Sequence, residues 1–138
     1  MRLDLTKRAD YAIRAMLALA ESGEGERLSA RQIAAARGIP AQILPRIMSD
    51  LGRAGLVVSV AGRTGGYELA RARGSVSLLD VIQAVEGDAH RRTCVLRGGA
   101  CRSNGVCDVH EAFSAAQDAL LSSLSGATLE TLTRAEPA

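Results

Sequence analysis

The chain has 138 residues, 47% of them apolar, with 17 Lys or Arg, 15 Asp or Glu and three Cys, for a net charge of +2. That length suits one compact domain with a modest extension, and the apolar content is enough for a proper core. With no run near the roughly 18 apolar residues of a membrane span and no signal-like stretch at the N-terminus, a cytoplasmic protein that does not engage a membrane is expected.

Phe113, Tyr11 and Tyr67 are the only aromatic residues, so Ala, Leu, Ile and Val must build the core, a palette that favours closely packed helices. The charge is unevenly spread: residues 1–75 hold 12 basic and 7 acidic side chains, residues 76–138 hold 5 and 8. All but one of the basic residues are Arg, whose planar fork suits phosphates and guanine edges. A GC-rich genome produces the same bias.

From Thr6 to Ser22, apolar Ala9, Ala12, Ile13, Met16, Leu17 and Ala20 recur every three or four residues and predict an amphipathic helix, ended by Gly23 and Gly25. Ser29-Ala30-Arg31-Gln32 is a capping-box pattern that opens a short helix to Arg37. Gly38 supplies a left-handed turn, Ile39-Pro40 re-aim the chain, and a third helix is predicted over Ala41–Ala54 with Ile43, Leu44, Ile47, Met48 and Leu51 facing inward. Two helices about a tight glycine turn form a helix-turn-helix pattern. Leu56–Val60 then has strand character, Gly62-Arg63-Thr64-Gly65-Gly66 is a turn, and Tyr67-Glu68-Leu69 returns. Such a hairpin reads as a wing, tipped by Arg63 and backed by Arg71 and Arg73, able to lie along a phosphate backbone or probe a minor groove.

Ser77-Leu78-Leu79-Asp80 starts a further helix that ends near Gly87. The cysteines follow as Cys94-x6-Cys101-x5-Cys107, with His110 three positions on. An odd number of cysteines in a reducing compartment speaks against a disulfide framework and for metal binding or redox chemistry. Thiolates are soft ligands for zinc and iron-sulfur centres, and Gly98, Gly99 and Gly105 let the loop curl so that the sulfurs converge. Over 108–124, Val109, Phe113, Ala116, Leu120 and Leu124 mark one face of a long helix whose Ala-rich surface suits pairing with a second copy. Gly126 closes it, and Thr128 caps a short last helix. The fold predicted is mainly α: a winged helix-turn-helix with a two-stranded wing over 1–75, then a ligand-bearing loop and a long C-terminal dimerisation helix over 76–138, all in one compact unit.

No nucleophile and base stand in a recognisable motif and no Gly-rich phosphate loop follows a strand, so an enzyme is not expected. A zinc site of three Cys and one His is a rival for the cysteine cluster, weakened by gaps wider than the usual close pair. A cluster-free thiol-disulfide switch is another.

Leu5-Thr6-Lys7-Arg8-Ala9-Asp10-Tyr11-Ala12-Ile13-Arg14, then Gly38-Ile39-Pro40, Gly55-Leu56-Val57, Gly65-Gly66-Tyr67 and the three-cysteine loop, in that order, resemble the Rrf2 family of bacterial transcription regulators along nearly the whole chain. The resemblance implies a homodimer on double-stranded DNA with a pseudo-palindromic operator, and an iron-sulfur cluster on Cys94, Cys101 and Cys107 whose state changes DNA binding. It implies that helix 108–124 crosses the dimer and that the first helix of one subunit approaches the cysteine loop of the other. Two fourth ligands remain open: His110, matching the histidine of members with a 2Fe-2S centre, and Asp10, matching the partner-subunit aspartate of members with a 4Fe-4S centre. His90, Asp108 and Glu111 have only proximity in their favour, and the six-residue first gap is one longer than in members with five in both.

The third helix would enter the major groove, with Gln42 and Arg46 as leading base contacts and Ala41 assisting, each good bidentate pair being worth roughly 1–3 kcal/mol of discrimination. Arg63 would hold the backbone. Pro45, four residues into that predicted helix, removes a backbone donor and takes a place where family members often carry a polar base-reading side chain, so fewer direct contacts are expected.

Overall fold

The computed structural model describes residues 4–87 and 107–134. Among these residues the elements follow in the order α1 (Lys7–Ser22), α2 (Ala30–Arg37), α3 (Leu44–Arg53), β1 (Val57–Val60), β2 (Gly66–Leu69), α4 (Leu78–Glu86), α5 (His110–Gly126) and α6 (Leu129–Arg134), with a 3-10 turn at Arg73–Ser75.

Local chemistry sets most of the boundaries. The Thr6 side chain accepts from the Ala9 amide and caps α1, and the Ser29–Gln32 capping box is complete at α2. Gly38 takes the left-handed conformation at the end of α2, as its residue type predicts. At α4, Ser77 and Asp80 form a second capping box. Thr128 Oγ1 accepts from the Thr131 amide at 3.2 Å to start α6.

α1 is the central element, packed against α2, α3, α4 and α6. That crowding broadens its buried stripe: Ala9, Ala12, Met16 and Ala20 are buried as the periodicity requires, Ala15, Ala18 and Leu19 join them, and Ile13 and Leu17 are half-buried. Leu44, Ile47, Met48 and Leu51 of α3 complete the core with Ile33, Leu56, Val76, Val81 and Leu129. Each fully buried Leu, Ile or Met contributes about 1.5–3 kcal/mol.

β1 and β2 pair antiparallel, Val57 opposite Leu69 through Val60 opposite Gly66. A contact the sequence did not suggest anchors this wing: Leu28 and Tyr67 exchange backbone hydrogen bonds of 3.0 and 2.8 Å, joining the hairpin to the segment before α2. Gly66 makes the approach possible, because a Cβ there would lie 2.6 Å from the Leu28 carbonyl oxygen and its φ of 140° disfavours any side chain.

Two expectations are corrected. The third helix begins at Leu44, residues 41–43 forming a turn, and Ile43 is exposed instead of buried. The physical reason is Pro45, which has no amide to donate to the Ala41 carbonyl; within the first turn of a helix starting at Leu44 its missing donor is needed by nothing. At the other end of the chain, α5 runs two residues past the expected end and includes Gly126, with Ala127 as C-cap. α5 packs on α4 through buried Leu121, which leaves Phe113 (38% exposed), Ala116 and Leu120 (43% exposed) facing outward.

Candidate DNA interface and cysteine segment

The glycine turn between α2 and α3 is tight. The amides of Gly38 and Ile39 both reach the Ala34 carbonyl, and Ile39 is buried, pinning the turn to the core. Ala41 and Gln42 lie exposed in the following turn, and Arg46 lies exposed in the first turn of α3. All three therefore stand at the α3 N-terminus, although two precede the helix proper. Pro45 lies in that same first turn, where its missing donor costs nothing.

Gln42 and Arg46, with Ile43 and Ile47, line an open groove of about 470 Å3 whose far wall is Arg8 of α1. Arg8 was not singled out as a site residue in the sequence, and its place follows from packing between α1 and α3. Behind it lies Asp50, the one buried charged side chain among the described residues, at 9% exposure. Arg8 and Arg53 each donate from Nη2 to one of its carboxylate oxygens. In sequence Asp50 shows only as a lone acid on an otherwise basic helix.

On the wing, Arg63 is exposed at the turn, closed by the Gly65 amide on the Gly62 carbonyl at 3.1 Å. Arg71 and Arg73 do not back it as expected. Arg71 Nη2 donates to the Ser75 carbonyl at 2.6 Å and stands 3.7 Å from Asp80, while Arg73 Nη1 donates to the Ala20 carbonyl at 3.3 Å. Both guanidiniums secure the wing base to the body.

Cys94 and Cys101 lie outside the described residues, as does His90. Cys107 is half-buried just before α5, and its carbonyl accepts from the His110 amide at 3.0 Å, so the two adjoin at the start of that helix. His110 Nε2 is 3.5 Å from Ser114 Oγ. Asp10, on α1, holds Arg14 through both oxygens at 3.0 Å, in a half-exposed pair. The same end of α1 is tied to the root of the cysteine segment: the Thr6 amide and hydroxyl donate to Glu86 Oε1 at 3.1 and 2.6 Å, and Glu86 closes α4.

Residues 5–135 match the family model Rrf2, described as an iron-dependent transcriptional regulator. The chain belongs to the Rrf2 family of transcriptional regulators. It is 34% identical over 125 residues to the HTH-type transcriptional regulator IscR of Citrobacter koseri, covering 91% of this chain and 76% of that one. An HTH-type transcriptional regulator of Mycobacterium tuberculosis is 42% identical over 83 residues, 60% of this chain; the match spans 52%, about half, of that relative's length. Among solved structures, CymR, the global cysteine regulator of B. subtilis, superposes with a TM-score of 0.85 at 24% identity over 99% of this chain and 100% of that one, a likeness of fold. The chain thus has the winged-helix fold and the sequence of a family of transcription regulators.

Proposed function

We propose that this Rrf2 protein is a homodimeric regulator whose DNA binding responds to an iron-sulfur cluster held by Cys94, Cys101 and Cys107, with His110 or Asp10 as the fourth ligand. The observation that carries the reading is the donor set: three thiols and an imidazole within 17 residues, the last two adjoining at the start of α5, in a chain of a family described as iron-dependent. Thiolate and imidazole or carboxylate donors fit such a cluster. Bound there, the cluster would supply a centre open to oxidation, nitric oxide or iron loss at its non-thiolate corner.

The chain's own residues suggest how a change at that centre reaches DNA. The start of α1 is held by Glu86 at the root of the cysteine segment and by Asp50 on α3, so a shift of that segment acts on the reader helix through Thr6 and Arg8. Asp10 lies on the same end of α1, and its exposed pair with Arg14, worth about 0.3–0.5 kcal/mol, leaves the carboxylate available at small cost. Sensing is then a population shift between dimers that do and do not fit the operator. In this scheme the α5 face of Phe113, Ala116 and Leu120 meets its copy from the second subunit, Gln42 and Arg46 read base edges with Ala41 at the helix start, and Arg63 holds phosphate.

Anaerobic purification with visible absorbance, Mössbauer spectra and iron and sulfide counts tests the reading. A brown protein with both elements is the expected result, a 2Fe-2S spectrum pointing to His110 and a 4Fe-4S spectrum to Asp10. A colourless protein with stoichiometric zinc, or one that pairs its cysteines on oxidation and never takes up iron, would overturn it.

A further inference from the structure

We infer that the start of α1 is a second DNA-contacting element, in which Arg8 binds a phosphate flanking the groove entered by α3, and that Asp50 is the positioning residue that aims it. The inference rests on the DNA binding of the winged helix and not on the cluster. A buried carboxylate needs a cation, and Arg53, one turn away on the same helix, already provides one. The second comes from another helix, 42 residues distant in sequence. Both oxygens of Asp50 are engaged, one per guanidinium, so each arginine gives up one N–H and keeps the remaining donors of its fork.

Arg8 is 45% exposed at its side chain and walls the same groove as Gln42 and Arg46, so its outward donors and theirs share one surface. Two arginines on one carboxylate leave a net positive charge there, and a phosphate oxygen is the anion that a free guanidinium edge on a DNA-facing surface would take. A long side chain held in advance loses less freedom on binding than a mobile one, which is the contribution of Asp50.

Wild-type protein, Arg8→Ala, Arg8→Lys, Asp50→Asn and the double variant Arg8→Ala/Asp50→Asn are titrated, across a series of salt concentrations, against the duplex that the wild-type protein selects from a random-sequence pool. Thermal melts check that each is folded. Arg8→Ala should weaken binding and flatten the logarithmic salt dependence by about 0.9 per subunit, the loss of one phosphate contact, while Arg8→Lys keeps the slope. Asp50→Asn should keep the slope and weaken binding several-fold, and in the double variant it should add no further loss. An unchanged slope in Arg8→Ala would remove the phosphate contact. Tighter binding in Asp50→Asn, or a full extra loss in the double variant, would show that Asp50 masks charge or serves the fold, and would remove its positioning role. If Asp50→Asn fails to fold, the slopes of the two Arg8 variants still decide the contact, and Asp50→Glu replaces it in the cycle. A wild-type protein that selects no duplex would instead contradict the DNA-binding assignment itself.

Discussion

Replacing Gly66 by Ala tests how the wing is held. The added methyl would stand 2.6 Å from the Leu28 carbonyl oxygen, on a backbone with φ 140° that side chains rarely adopt. The conformational strain costs about 1–3 kcal/mol, and pushing Leu28 away weakens two backbone hydrogen bonds to Tyr67 at about 1 kcal/mol each. The sum, about 3–5 kcal/mol, does not exceed the about 5–15 kcal/mol of a typical domain, so the variant should fold. With an unfolding entropy of about 2.1 cal/mol/K per residue, a chain of this length loses about 3–4 °C of melting temperature per kcal/mol, giving a drop of roughly 10–17 °C. Gly62→Ala is the control: its φ of 105° carries similar strain, but no atom stands within 4 Å of the new methyl. Calorimetric melts of both variants isolate the Leu28 contact. A drop in Gly66→Ala no larger than that of Gly62→Ala would refute the argument that close approach, and not backbone strain alone, fixes this glycine.

The other site assignments make separable predictions. Arg46→Ala should relax base preference at one position of each half-site by roughly 1–3 kcal/mol, read as a flattened sequence profile in a selection experiment, whereas Arg63→Ala should weaken all duplexes alike and reduce salt dependence; the same profile from both would contradict their different roles. Leu120→Glu places a charge on the outward face of α5 and should shift sedimentation from dimer to monomer at micromolar concentration, with little change in the melting of the monomer. A dimer of unchanged affinity would show that subunits meet elsewhere. Cys107→Ser should abolish the visible chromophore of anaerobically purified protein, while of His110→Ala and Asp10→Ala only the variant that removes the true fourth ligand should change the spectrum; a Cys107→Ser protein with wild-type colour would exclude that thiol as a ligand.

What the sequence displayed well were features governed by near neighbours. The capping boxes at Ser29–Gln32 and Ser77–Asp80, the left-handed Gly38 and the hairpin turn around Arg63 depend on residues a few positions apart, and each forms where the pattern puts it. The start of α3 was misjudged because apolar periodicity carries through Ile43, while the helix responds to a missing donor at Pro45. Arg8, which the sequence does not single out, and Arg71 and Arg73, which it places behind Arg63, differ from expectation for another reason. A charged side chain gives no sign of its partner when that partner is 42 or 53 residues away, as for Arg8 with Asp50 and Arg73 with the Ala20 carbonyl. For α5 the periodicity located an apolar face, but the fold buries Leu121 beside it and leaves Phe113 and Leu120 outward, so the pattern marks an exposed face and not the contact with α4.

These long-range partners converge on one stretch, Thr6 to Asp10. Within five residues the chain caps α1, bonds the root of the cysteine segment through Glu86, pairs with buried Asp50 of α3 and presents a carboxylate at Asp10. The Thr6 cap serves any helix, but a core helix has no need of the bonds to Glu86 and Asp50 as well, because the apolar face of α1 already holds it in place through Met16 and Leu19 farther along. Under the proposed function, these contacts suit transmission: a helix whose far portion is fixed in the core and whose near end is bonded to Glu86, before the cysteine segment, and to Asp50 of α3. Polar contacts at a surface exchange partners at far lower cost than packed apolar ones. The exposed Thr6–Glu86 and Asp10–Arg14 contacts can accordingly change partners while the core around Met16 stays intact.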